Sequence, residues 1–156
     1  MTGVGGARAA GLRHCAEDSV EIEAPVETVW KLLVDFAGWQ DWNPLYVETR
    51  GDLRVGSAIG FTVALAGMKP HGGSATVLSV IPNEVIEYGT GAFAGLVRAT
   101  RYIEVRALGA ERCLVVNGEH MGGLLGPLLF KAVGEKVRLG LKGMNEALKG
   151  LAEQHS

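Results

Sequence analysis

The sequence predicts an α+β domain: a curved antiparallel sheet of about seven strands wrapped around a long C-terminal helix, with two short helices between the first and second strands. Three observations predict it. A period-2 segment at Ser19–Glu23 runs directly into a helix-period segment at Val26. Six strand-like runs then follow with no helix between them, and the final stretch changes to helical period. Successive strands without intervening helices pair antiparallel.

Each element has its own local reason. Val20 and Ile22 alternate with Ser19, Glu21 and Glu23, the pattern of a half-buried strand. Pro25 suits the first turn of a helix, where a missing N–H costs nothing, and Glu27 suits the positive end of the helix dipole. Val26, Val29, Trp30 and Leu33 form one apolar helical face. Gly38 and Pro44 bracket a second short segment carrying Trp39 and Trp42. Strands are then expected at Tyr46–Arg50, Ser57–Ala66, Gly73–Ile81, Glu84–Gly89, Val97–Leu108 and Arg112–Met121. Pro82-Asn83 is a tight turn, and Gly109–Glu111 a three-residue loop. From Leu124 to Leu151, Phe130, Val133, Val137, Leu141, Met144, Leu148 and Leu151 recur every three or four residues, opposite a charged face. Gly134, Gly140 and Gly143 interrupt that helix. They face either the cavity side or solvent.

Composition limits the function classes. A chain of 156 residues forms one domain of ordinary size, read here as residues 18–152 behind a disordered tail at 1–17. The formal net charge is -2, with both signs mixed along the chain. That provides no basic field for nucleic acid and no polybasic segment for anionic membrane. No run of about 18 apolar residues exists for membrane insertion, and the Gly/Ala-rich start lacks a signal-peptide core. Cys15 and Cys113 lack metal-ligand spacing, so reduced thiols and a cytoplasmic location are expected. Nothing in the sequence assembles a catalytic triad, a phosphate-cradling glycine loop or a metal site. No cofactor is expected.

The stretch from Ser19 to Trp30, continued by Asp35-Phe36 and Trp39-Gln40-Asp41-Trp42-Asn43-Pro44, resembles the start of the START/SRPBCC superfamily of helix-grip proteins. The resemblance covers residues 18–152. It is reinforced by Glu119–Leu125 and Gly143–Lys149, which look like the bacterial branch labelled polyketide cyclase/dehydrase or lipid-transport-like. It implies a cavity for an apolar ligand between the sheet and the long helix. The segment Tyr88–Leu96 likewise resembles the flexible loop over the cavity entrance of related proteins, with Phe93 and Leu96 able to close over a ligand.

A register argument sharpens the site. Placing Leu108 opposite Arg112 brings Val105 to Val115, Ile103 to Asn117 and Arg101 to Glu119. The apolar members place that face inward, so Arg101 and Glu119 are expected to meet as a charged pair on the cavity wall, able to orient a polar group of the ligand. They are also the candidate catalytic residues. The expected ligand-binding set is Trp39, Phe61, Tyr88, Phe93, Arg101, Ile103, Asn117, Glu119, Met121, Phe130, Val133 and Val137. His71 is read into a loop near the opening, and His120 onto the surface or rim. Three functions of different class fit: binding a lipid, polyketide or other aromatic compound, cyclase/dehydrase-type turnover of it, or protein interaction. The partner is then a small apolar molecule, with no nucleic acid, and the chain a monomer or homodimer.

Overall fold

The computed structural model describes residues 14–92 and 94–155. Strand β1 (Cys15–Ile22) leads into helix α1 (Val26–Val34), a 3-10 turn (Phe36–Gly38) and the short helix α2 (Trp39–Trp42). Strands β2 (Tyr46–Arg50), β3 (Ala58–Val63), β4 (His71–Ile81), β5 (Val85–Ala92), β6 (Val97–Gly109) and β7 (Arg112–Gly122) follow, and helix α3 (Gly126–Gln154) ends the chain. The seven strands form one antiparallel sheet in the order β1-β7-β6-β5-β4-β3-β2. The first two strands are therefore the two edges. The chain crosses between them through α1 and α2.

Curvature has a local cause. Register shifts fall between Tyr46 and Glu48, Val77 and Ser79, and Ala107 and Gly109. Each adds a residue to one strand, which bends and twists it. The curled sheet grips α3, whose buried face of Val137, Leu141, Met144, Leu148 and Ala152 packs with Ile22, Val29, Leu33, Ile103, Val105, Cys113 and Val115. Gly140 faces the protein instead of solvent or cavity: a Cβ there would lie 2.8 Å from the Leu45 side chain, so glycine permits the helix to approach the α2–β2 connection.

Several boundaries differ from the sequence expectation. β1 begins at Cys15, so the expected tail limit at residue 17 falls inside a strand, while residues 1–13 lie outside the described ones. Ala16 gave little signal because it is small, yet it is buried. Pro25 caps α1 from just outside the helix. Tyr88–Ala92 belong to β5, paired out to Ala92–Val97, so among the described residues only Ala94–Leu96 of the expected entrance loop lie outside a strand. A two-residue turn and a bulge replace the three-residue loop at Gly109, and Gly109 itself pairs with Arg112.

The convex face holds one tightly fitted side chain. The Tyr102 hydroxyl donates to Glu17 and lies 3.0 Å from Cys15 Sγ, tying β6 to β1 across Gly118 of β7. A Cβ on Gly118 would stand 2.2 Å from the Tyr102 ring, and that ring is wholly buried. Gly118→Ala is therefore expected to destabilise the fold by about 1–3 kcal/mol in urea unfolding. Gly109→Ala, with no atom within 4 Å, should change it by less than about 0.5 kcal/mol.

Candidate functional site

A cavity of about 610 Å³ lies between the concave face of the sheet and the N-terminal half of α3. Its walls include Leu45, Val63 and Leu65, the strand residues Ala75, Ala99 and Met121, and Leu129, Val133 and Val137 from the helix. The mouth is marked by exposed wall residues, Met68, His71 and Gly72 around the β3–β4 turn, with Gly91 of β5. The inner end is marked by buried Tyr46, Tyr88, Arg101 and Leu141. Gly73 makes room for the Phe61 ring of the wall, which a Cβ would strike at 2.7 Å.

The polar groups converge at the inner end through local structure. Asn43 Oδ1 accepts from the backbone N–H groups of Leu45 and Tyr46, fixing the entry to β2. The bulge after Tyr46 then lets Tyr46 and Thr49 both point inward. Tyr46 packs edgewise against Trp39 and Phe61 at ring separations of 5.3 and 5.2 Å. Its hydroxyl accepts from Tyr88 at 2.7 Å and from Arg101 Nε at 3.0 Å.

Arg101 is only 3% exposed, and its guanidinium is held almost wholly by protein. Nη1 donates to Asn117 Oδ1 and, at 2.9 Å, to the Gly118 carbonyl, while Nη2 approaches Met144 Sδ at 3.8 Å. Asn117 in turn donates to Asn145 Oδ1 at 3.2 Å, and Asn145 to Asp18 Oδ2 at 2.9 Å. Burial opposes the arginine charge, but Tyr46, Tyr88 and Glu119 outweigh it, so its pKa is raised and it stays a cation. The guanidinium also stands 5.6 and 5.8 Å from the centres of the Tyr46 and Tyr88 rings. Burial pushes the Tyr88 hydroxyl well above the usual tyrosine range, so it remains a neutral donor.

The register places Arg101 directly opposite Glu119, and both line the cavity. They do not meet as an ion pair. Arg101 turns toward Tyr46 and Asn117, where it finds neutral acceptors, and Glu119 makes no hydrogen bond or ion pair among the described residues. Burial raises the Glu119 pKa, while Arg101 and His71 act in the opposite direction through space.

Of the other expected site residues, Phe61, Tyr88, Met121, Val133 and Val137 stand in the wall, together with His71, which begins β4 instead of lying in a loop. Four expected wall residues lie elsewhere. Trp39 is wholly buried behind Tyr46, its Nε1 donating to the Leu33 carbonyl at 2.9 Å. Ile103 sits in the dry core. Asn117 is fully buried behind Arg101, where it holds the guanidinium. Phe130 turns onto an outer groove with Cys15, Glu17 and Arg138, its ring 5.5 Å from that of His14. One helical step of about 100° separates it from cavity-lining Leu129. Phe93 lies outside the described residues. Tyr46, Asn43, Asn145 and Asp18 are site or support residues that sequence reasoning missed. Asn145 alone left a signal, as a polar residue beside Met144 and Leu148 on the buried helical face. Among the described residues there is no cluster of metal-ligating side chains and no helix long and apolar enough to cross a membrane.

A curled sheet gripping a long helix, with a partly apolar cavity between them, defines a helix-grip protein. The sequence model for "polyketide cyclase / dehydrase and lipid transport" matches residues 13–155, and the chain belongs to that family. No curated protein matches its sequence. Among solved structures it is similar to the Zhui aromatase/cyclase from Streptomyces sp. R1128, with 20% identity, a TM-score of 0.75 and coverage of 90% of this chain and 94% of that one. A START superfamily protein from Mycobacterium smegmatis gives 21%, 0.70, 91% and 99%. Thalictrum flavum norcoclaurine synthase gives 20%, 0.69, 90% and 94%. At such identities the likeness establishes the fold.

Two outcomes follow from the geometry. Arg101→Met takes from the Tyr46 hydroxyl one of its two donors and removes the arginine donor from Asn117 Oδ1 and the Gly118 carbonyl, so a loss of roughly 3 kcal/mol is expected in chemical unfolding. For Glu119, a carboxyl pKa raised on folding contributes stability at low pH that is lost as pH rises through the folded value. Glu119→Gln should therefore raise Tm at neutral pH, and the gain should shrink as pH falls toward the ordinary glutamate value of 4.5.

Proposed function

We propose that this protein binds a small, largely apolar molecule, a lipid, polyketide or other aromatic compound, in the cavity between the sheet and α3. The observation that carries this reading is the combination of volume and lining. About 610 Å³ lies within the roughly 300–1,000 Å³ common to small-molecule sites. Its walls are mainly aliphatic and aromatic, with Tyr46, Tyr88 and Arg101 gathered at the inner end. Apolar wall left in contact with water is unfavourable by roughly 25 cal/mol per Å², and a ligand that covers it recovers that free energy.

Turnover of such a ligand is a second reading, favoured by one feature. Glu119 faces the cavity with its pKa raised by burial, a condition that suits a carboxyl to proton transfer nearer neutral pH. Arg101 is less suited to that role, because its pKa is raised and it stays a cation, with Nε and Nη1 engaged by Tyr46, Asn117 and Gly118. Retained binding with lost product formation in Glu119→Gln would favour turnover.

Native mass spectrometry of gently purified protein, with identification of any extracted compound, tests the primary reading. A stoichiometric small molecule is expected in the wild type. Val133→Trp, which projects an indole from the helical wall, should lower its occupancy by at least about tenfold while leaving the far-UV circular dichroism unchanged. A protein that carries nothing and takes up neither added lipids nor aromatic compounds would overturn the reading in favour of protein interaction.

A further inference from the structure

The cavity wall carries an asymmetric pair of polar groups with hydrogen-bonding capacity to spare. Tyr46 accepts two hydrogen bonds, from Tyr88 and from Arg101. A phenol that accepts twice still has its own O–H to donate. No acceptor for that hydrogen is found among the described residues. Glu119 offers the complement: a carboxyl group on the same cavity wall with no hydrogen bond or ion pair among the described residues. Tyr46 and Glu119 therefore offer a ligand one free donor and one free acceptor, apart from the exposed polar side chains of His71, Ser74 and Thr90.

Charge narrows the choice of ligand. Arg101 is a permanent cation at the inner end, and Glu119 is the carboxylate of the same wall, lying opposite it across the β6–β7 pairing. Together they make the wall neutral as built. A neutral ligand preserves that balance. An apolar carboxylate would place a second negative charge beside Glu119 in a poorly solvated space, where three of the five guanidinium N–H groups of Arg101 are held by Tyr46, Asn117 and Gly118 and Nη2 lies against Met144 Sδ. An ammonium would leave an excess positive charge near Arg101.

We propose that the cavity selects neutral, hydroxyl-bearing ligands, phenols above all, whose hydroxyl groups donate to Glu119 and accept from Tyr46, and that it disfavours apolar carboxylates such as free fatty acids. This inference rests on the cavity-binding reading and specifies its ligand class.

Calorimetric titration at neutral pH with naphthalene, 2-methoxynaphthalene, 2-naphthol and 2-naphthoate tests it, because the four share one apolar body. Wild type should bind 2-naphthol about tenfold tighter than naphthalene or 2-methoxynaphthalene, with 2-naphthoate weakest. Glu119→Gln, nearly isosteric, should bind 2-naphthoate about tenfold tighter than wild type does. Tyr46→Phe, which also leaves the Tyr88 hydroxyl and Arg101 Nε without their acceptor, should weaken 2-naphthol more than it weakens naphthalene. Wild-type binding of 2-naphthoate as tightly as 2-naphthol, or a ranking unmoved by Glu119→Gln, would overturn the selection for hydroxyl groups while leaving cavity binding intact. Failure of all four probes to bind would overturn the cavity reading, and this inference with it.

Discussion

The rest of the structure depends on a buried guanidinium held without direct contact to a carboxylate. Arg101 draws its partners from β2, β7 and α3, through Tyr46, Asn117 with the Gly118 carbonyl, and Met144. An ion of this size loses several kcal/mol of hydration on burial, so the fold holds it only because nearly every donor finds an oxygen or sulfur at hydrogen-bonding range. That requirement fixes the relative position of three elements far apart in sequence. Asn145 extends the chain of contacts to Asp18 on β1, joining the other sheet edge to the helix. The site and the tertiary structure thus share one network.

The network also marks a division along α3. Toward the C-terminus, Met144, Leu148 and Ala152 pack against α1 and the inner strands as an ordinary dry core. Toward the N-terminus, Leu129 and Val133 are only partly buried and face the cavity. The difference lies in what the opposing strands present. Ile103, Val105 and Val115 fill the space beneath one half, whereas Ala75 and Ala99 leave it open beneath the other. Residues that stabilise the fold and residues that leave room for a ligand are therefore separated along one helix, and the well-packed half can support the open half.

The facing of Arg101 and Glu119 was legible in the sequence because strand parity survives in an uninterrupted hairpin, and the bulge near Gly109 falls outside the pairs that matter. Their lack of direct contact was not legible. It depends on Tyr46 offering Arg101 an acceptor from the far side of the sheet, and the bulge after Tyr46 breaks the alternation that would have marked its inward direction. Trp39 and Phe130 were misplaced for a related reason. Periodicity identifies an apolar face but does not distinguish a face packed against protein from one open to a cavity.

The sequence by itself determined the α+β architecture, the antiparallel strand order along the hairpins, the long amphipathic helix and the family. Those follow from local periodicity, turn chemistry and short motifs, each confined to neighbouring residues. Tertiary structure alone decided which inward residues touch empty space, which donors Arg101 uses up and which polar groups remain free. These depend on contacts such as Tyr46 with Arg101 and Asn145 with Asp18, separated by 55 and 127 residues. Free volume and hydrogen-bond satisfaction are properties of the packed whole, and no single stretch of chain encodes them.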